Sequence, residues 1–149
     1  MIEDLKNKQK AILKKLRSEY GAKALDNFEL DKIGKKLIGK GFCGVFAYDQ
    51  YPISAPNCSY AVLNTDNSRQ PGTHWVGIYK TGKTLYIFDS FGRFSRNVLK
   101  KFVKSHTPEY KIVDINRTCD QGNEQEDCGL RSITTLMLIK KYGVEKIFD

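Results

Sequence analysis

The segment from Cys128 to Tyr142 constrains the fold more than any other part of this 149-residue chain. Read at helical spacing, Leu130, Ile133, Leu136, Met137, Leu138 and Ile139 leave little polar surface, so this helix has to be nearly enclosed by the rest of the protein. Gly143 ends it. Other amphipathic segments can supply the enclosure. From Ile2 to Tyr20, Leu5, Ile12, Leu13, Leu16 and Tyr20 form one helical stripe, with Gly21 as the stop. A second helix begins near Asp26 or Asn27, carries Leu30, Ile33, Leu37 and Ile38 inward, and ends at Gly39 and Gly41. A third starts after Ser95, buries Val98, Leu99, Phe102 and Val103, and is left behind by Pro108.

Strand and loop patterns lie between these helices. Glycines lead into Phe42 to Tyr51, Pro52 and Pro56 punctuate a loop, and Tyr60 to Leu63 reads as a short strand before the turn-rich stretch Asn64 to Gly72. Trp75 to Lys80 and Thr84 to Ser90 flank Thr81-Gly82-Lys83, the pattern of an antiparallel hairpin. Tyr110 to Ile115 is a further strand. The length suits one compact domain that needs neither disulfides nor metal to hold its core. No apolar run approaches the ~20 residues of a membrane span, and Met1 to Lys15 lacks the apolar core of a secretory signal. A soluble, non-secreted protein of a cytosolic, nuclear or virion setting is expected.

Four polar residues stand out because each has a defined role in thiol-based acyl transfer. Cys128 opens the enclosed helix, where unpaired backbone N–H groups and the macrodipole favour a thiolate. His74 is one of two histidines and can take the thiol proton; His106, in a basic stretch, is assigned no role. His74 precedes the first hairpin strand and Asp89 lies near the end of the second, so the hairpin brings a carboxylate to the open end that holds the imidazole. Gln121, seven residues before Cys128, is preferred over Gln125 as the amide that holds an oxyanion. Gly129 leaves room beside the nucleophile for substrate backbone. Asp120, Glu124, Glu126 and Asp127 oppose thiolate formation and suit a basic substrate.

The remaining composition narrows the partners. Cys43, Cys58, Cys119 and Cys128 form no C-x-x-C pair, so neither a zinc site nor a disulfide framework is expected; the thiols should be free and one of them reactive, with a Cys119–Cys128 pairing allowed by spacing. The net charge is +8, with eleven Lys or Arg against six Asp or Glu in residues 1–40 and a further basic run at Arg93, Arg96, Lys100, Lys101, Lys104 and Lys111. Both a solvated lysine-rich surface and a nucleic-acid contact account for that distribution.

Several blocks that surround these residues resemble the adenovirus maturation protease family, adenain, within the wider clan of ubiquitin-like-modifier proteases. They are Gly41 to Pro52, Ala61-Val62-Leu63-Asn64-Thr65, Gly72-Thr73-His74-Trp75, Tyr86 to Gly92 and Asp127-Cys128-Gly129-Leu130, in order over about residues 25 to 140. The Gln121 to Cys128 spacing is that of the adenovirus type. The resemblance implies an α+β fold: a mixed, largely antiparallel central sheet packed by helices, with the nucleophile at the N-terminus of a central helix. It also implies a cysteine endopeptidase with Cys128 as nucleophile, His74 as general base and acid, Asp89 as its orienting carboxylate and Gln121 as oxyanion donor. Implied substrates are capsid or core precursors cut after small, glycine-rich sequences, in the virion or infected cell. The chemistry needs no metal or other cofactor, but DNA and an activating viral peptide come with the family; no membrane partner is expected, and the chain should act as a monomer.

The resemblance also has edges. Residues 1–24 precede it as a helical extension, followed by a protease domain over 25–149, and the extension is expected to pack where part of adenain's longer C-terminal region would lie. The family's peptide-bonding cysteine falls where this chain has Tyr110, whereas Cys119 is two residues before Gln121. Two other activities fit the same residues: a deconjugating protease for a ubiquitin-like modifier, and a non-enzymatic basic DNA-binding virion protein on a protease fold.

Overall fold

Alternating apolar residues in the strands divide the core into two layers, one on each face of a single sheet. The computed structural model describes residues 3–21, 25–64, 74–88, 96–114 and 128–147. Its strands β1 (Phe42–Ala47), β2 (Tyr60–Asn64), β3 (Trp75–Thr81), β4 (Thr84–Phe88) and β5 (Lys111–Asp114) lie side by side in chain order. Of the three central strands, β3 runs antiparallel to both β2 and β4, and β1 and β5 join β2 and β4 in parallel at the two edges. This is the mixed, helix-packed sheet that the sequence implies.

One face carries Val62 and Trp75 and is covered by α1 (Glu3–Tyr20), α2 (Asn27–Leu37), α4 (Cys128–Tyr142) and the short α5 (Val144–Ile147). The other presents Ala61, Leu63, Val76, Ile78, Leu85 and Ile87 to Leu99 and Val103 of α3 (Arg96–His106) and to Tyr51, Cys58 and Tyr110. Adjacent strand residues thus serve opposite layers, as a period of two requires. At the centre of the first layer, Leu130, Ile133 and Leu136 of α4 are at most 1% exposed, so this helix is enclosed as its composition demands.

The covering helices are fixed locally. In α2, the Asp26 carboxylate accepts from the Glu29 N–H at 2.8 Å while the Asp26 N–H donates to Glu29 Oε1 at 3.2 Å, a reciprocal cap that satisfies two otherwise unpaired donors. Helix α1 packs along α4 through Leu5, Leu13 and Leu16, and its Gln9 amide donates to the hydroxyl of the buried Thr135 at 3.1 Å. No helix among the described residues is long and apolar enough to cross a membrane.

One expectation is corrected. Cys43 and Cys58 are not free thiols but a disulfide, with Cα atoms 5.0 Å apart. Parallel pairing of Phe42 with Tyr60 carries the two cysteines together, a non-local contact that their separation of 15 residues does not advertise. Closing a loop of this length restricts the unfolded chain by about 3 kcal/mol in the chain-entropy account. Unreduced, denatured protein is therefore expected to leave Cys43 and Cys58 unlabelled by iodoacetamide and to unfold at a higher denaturant concentration than reduced protein. Labelling of both cysteines without reductant would contradict the pairing.

Candidate active site

Cys128 is the first residue of α4, 5% exposed and a free thiol. As the first residue of the helix, its N–H is one of those that find no carbonyl within the helix itself. The sulfur is held against the start of β3, where the Trp75 N–H donates to Cys128 Sγ at 3.5 Å. His74 immediately precedes Trp75 and is itself buried, so an imidazole-bearing residue lies one peptide from the residue that contacts the thiol.

Two glycines lie beside this contact. Gly77 of β3 faces Ser132 of α4, and a Cβ at 77 would stand 3.4 Å from both the Cβ and the carbonyl oxygen of Ser132. The strand and the helix are thus in close contact one turn beyond the cysteine. Gly129 has a different use from the one expected of it. A Cβ there would lie 2.6 Å from Leu30 Cδ2 and 2.7 Å from Leu30 Cδ1, so the space beside the nucleophile belongs to α2 rather than to substrate backbone.

Of the four residues singled out from the sequence, His74 and Cys128 are brought together through Trp75. Asp89 and Gln121 lie outside the described residues, as do Gln125, Cys119, Asp120, Glu124, Glu126 and Asp127. The hairpin that leads to Asp89 is in place, with Gly77 opposite Phe88 in the last register pair of β4. His106 is exposed at the end of α3, stacked on Phe102 in the layer across the sheet from Cys128. Among the described residues, no group of three or more His, Cys, Asp or Glu could hold a metal ion.

Sequence reasoning missed Ser132. Its hydroxyl is fully buried and donates to the Cys128 carbonyl at 2.9 Å, with the Trp75 carbonyl 3.4 Å away. A polar residue interrupting so apolar a helix was the available signal. Chemically, the described part of the site offers a buried, oriented thiol at a helix start beside a buried imidazole residue, the two elements of base-assisted thiol attack.

Residues 42–147 match the family model of adenovirus endoprotease. No curated protein sequence matches the chain. Among solved structures, it is similar to the crystal structure of the ASFV pS273R protease, with a TM-score of 0.52 and 15% identity over 86% of this chain. The present chain spans 62% of that protein's length, and the likeness is one of fold.

Proposed function

Because the chain belongs to the adenovirus endoprotease family, we propose that it is a cysteine endopeptidase in which Cys128 attacks the scissile carbonyl. The observation that carries this reading is the Trp75 N–H contact to Cys128 Sγ at 3.5 Å, which joins the helix start to the residue following His74. His74 takes the thiol proton as sulfur bonds to the carbonyl carbon. The resulting oxyanion accepts from the Cys128 N–H and the Gln121 amide. Collapse breaks the C–N bond, and His74 returns the proton to the departing amine. Water, deprotonated by His74, then hydrolyses the thioester and regenerates the thiol. Asp89 orients the imidazole throughout.

The substrates on this reading are capsid or core precursors, cut after small or glycine-rich sequences in the virion or infected cell, by a monomer. Exposed Lys6, Lys8, Lys10, Lys14 and Lys15 on α1, with Lys101 and Lys104 on α3, support a nucleic-acid partner. Phosphate contacts of this kind predict DNA affinity that falls steeply with added salt, and salt-independent binding would count against them. A disulfide-linked activating peptide does not fit at the family's position. Tyr110 there is a buried core residue whose hydroxyl donates to the Ile53 carbonyl at 3.4 Å.

The test is incubation of the protein with a glycine-rich capsid-type precursor, and separately with a modifier ending in Gly-Gly, each with and without DNA. Cleavage of the precursor that iodoacetamide pretreatment abolishes is expected. Cleavage of the modifier alone would select the deconjugating activity, and cleavage indifferent to alkylation would remove the thiol mechanism.

A further inference from the structure

We propose that Ser132 is a positioning residue for the Cys128 nucleophile, acting through the backbone of Trp75. This rests on the cysteine-protease reading above and adds a residue that the triad logic does not contain.

Both backbone polar groups of Trp75 face α4. The Trp75 N–H donates to Cys128 Sγ at 3.5 Å, and the Trp75 carbonyl lies 3.4 Å from Ser132 Oγ. Cys128 and Ser132 are four residues apart, one turn of α4, so Trp75 touches the same helical ridge at two successive levels. The same Ser132 hydroxyl donates to the Cys128 carbonyl at 2.9 Å, and its single proton is shared between the nucleophile's own residue and β3. A serine that bonds only to the carbonyl one turn earlier is a routine helix feature. Thr134 is that case: equally buried, its hydroxyl donates to Leu130 O at 2.8 Å. Ser132 differs in reaching across to the strand that directly follows His74.

Packing leaves the hydroxyl little alternative. Ser132 is 0% exposed and packs against β3, where a Cβ at Gly77 would stand in van der Waals contact with it at 3.4 Å. Without the hydroxyl, the first turn of α4 keeps only one of its two polar ties to the start of β3, and the thiol has more room to shift relative to His74. A displacement of about 1 Å between reacting groups is enough to slow a reaction by up to about 100-fold.

The experiment compares Ser132→Ala with Thr134→Ala. Each removes one buried hydroxyl bonded to the preceding turn of the same helix; only the first removes the link to β3. Ser132→Ala is expected to lower kcat about tenfold or more with KM within about twofold, and to slow iodoacetamide labelling of Cys128, followed by mass spectrometry, by a comparable factor. Thr134→Ala should leave both within about twofold of wild type, with denaturation midpoints showing that each variant is folded. Equal kcat and labelling rates in the two variants would overturn the positioning role. The labelling arm uses no substrate, so it still reads the thiol's placement if Cys128→Ala proves that cleavage does not depend on Cys128.

Discussion

Cys128→Ala is expected to bring precursor cleavage down to background, a loss of roughly 10,000-fold or more. The size follows from the step removed: without the sulfur no thioester forms, and the remaining groups can only polarise the carbonyl for direct attack by water. His74→Ala should have nearly the same effect, and the double variant should be little worse than either alone, because nucleophile and base act as one unit. Folding should survive the Cys128 change. The change removes one sulfur atom and leaves a methyl side chain at the start of α4, a small loss within the first core layer. Circular dichroism and denaturation midpoints separate the two possibilities, and a variant that is folded yet retains more than a few per cent of wild-type cleavage would exclude Cys128 as nucleophile.

The second large effect concerns the support beneath the site. Leu30→Ala should destabilise the protein by about 2–5 kcal/mol, since Leu30 is 0% exposed and its removal opens a cavity against α4. Gly129→Ala in the wild-type background should cost about 1–3 kcal/mol through overpacking, because the new methyl would stand 2.6 Å from Leu30 Cδ2. Combined, the two should interact. With Leu30 shortened, the methyl at 129 fills part of the hole, and the helix preference for alanine over glycine, about 1 kcal/mol, is no longer opposed. Urea titrations of the four proteins in the cycle test this. Strict additivity would mean that Gly129 is not glycine because of Leu30.

Much of this architecture can be read in the sequence because the period of its apolar residues is local information. The stripe Leu5, Leu13, Leu16, the all-round apolar surface of α4 and the Gly82 turn of the β3–β4 hairpin each lie within a short window. The expectation that His74 and Cys128 meet rests on the same windows, and the contact seen is that of the neighbouring Trp75 N–H with Cys128 Sγ. Strand β1 was not legible. Its sequence, Phe-Cys-Gly-Val-Phe-Ala, has no period of two, and Gly44 sits at φ 136° beside a register shift in its pairing with β2. The Cys43–Cys58 bond was hidden for the same reason, since it depends on that parallel pairing. Gly129 was misread because the direction of an absent Cβ becomes meaningful only once α2 is in place. Ser132 was passed over because its partner carbonyl belongs to β3, far away in sequence.

The central claim is that Cys128 forms the covalent intermediate of a peptide-bond hydrolysis. Its most direct measurement is rapid acid quenching of the protein with a peptide ester or precursor during turnover, followed by mass spectrometry of the fragment containing residues 128–131. The account predicts the acyl portion of the substrate bound as a thioester to Cys128, appearing before product accumulates and released by hydroxylamine. Steady cleavage with the acyl group on another residue, or cleavage that continues after Cys128→Ala, would contradict it.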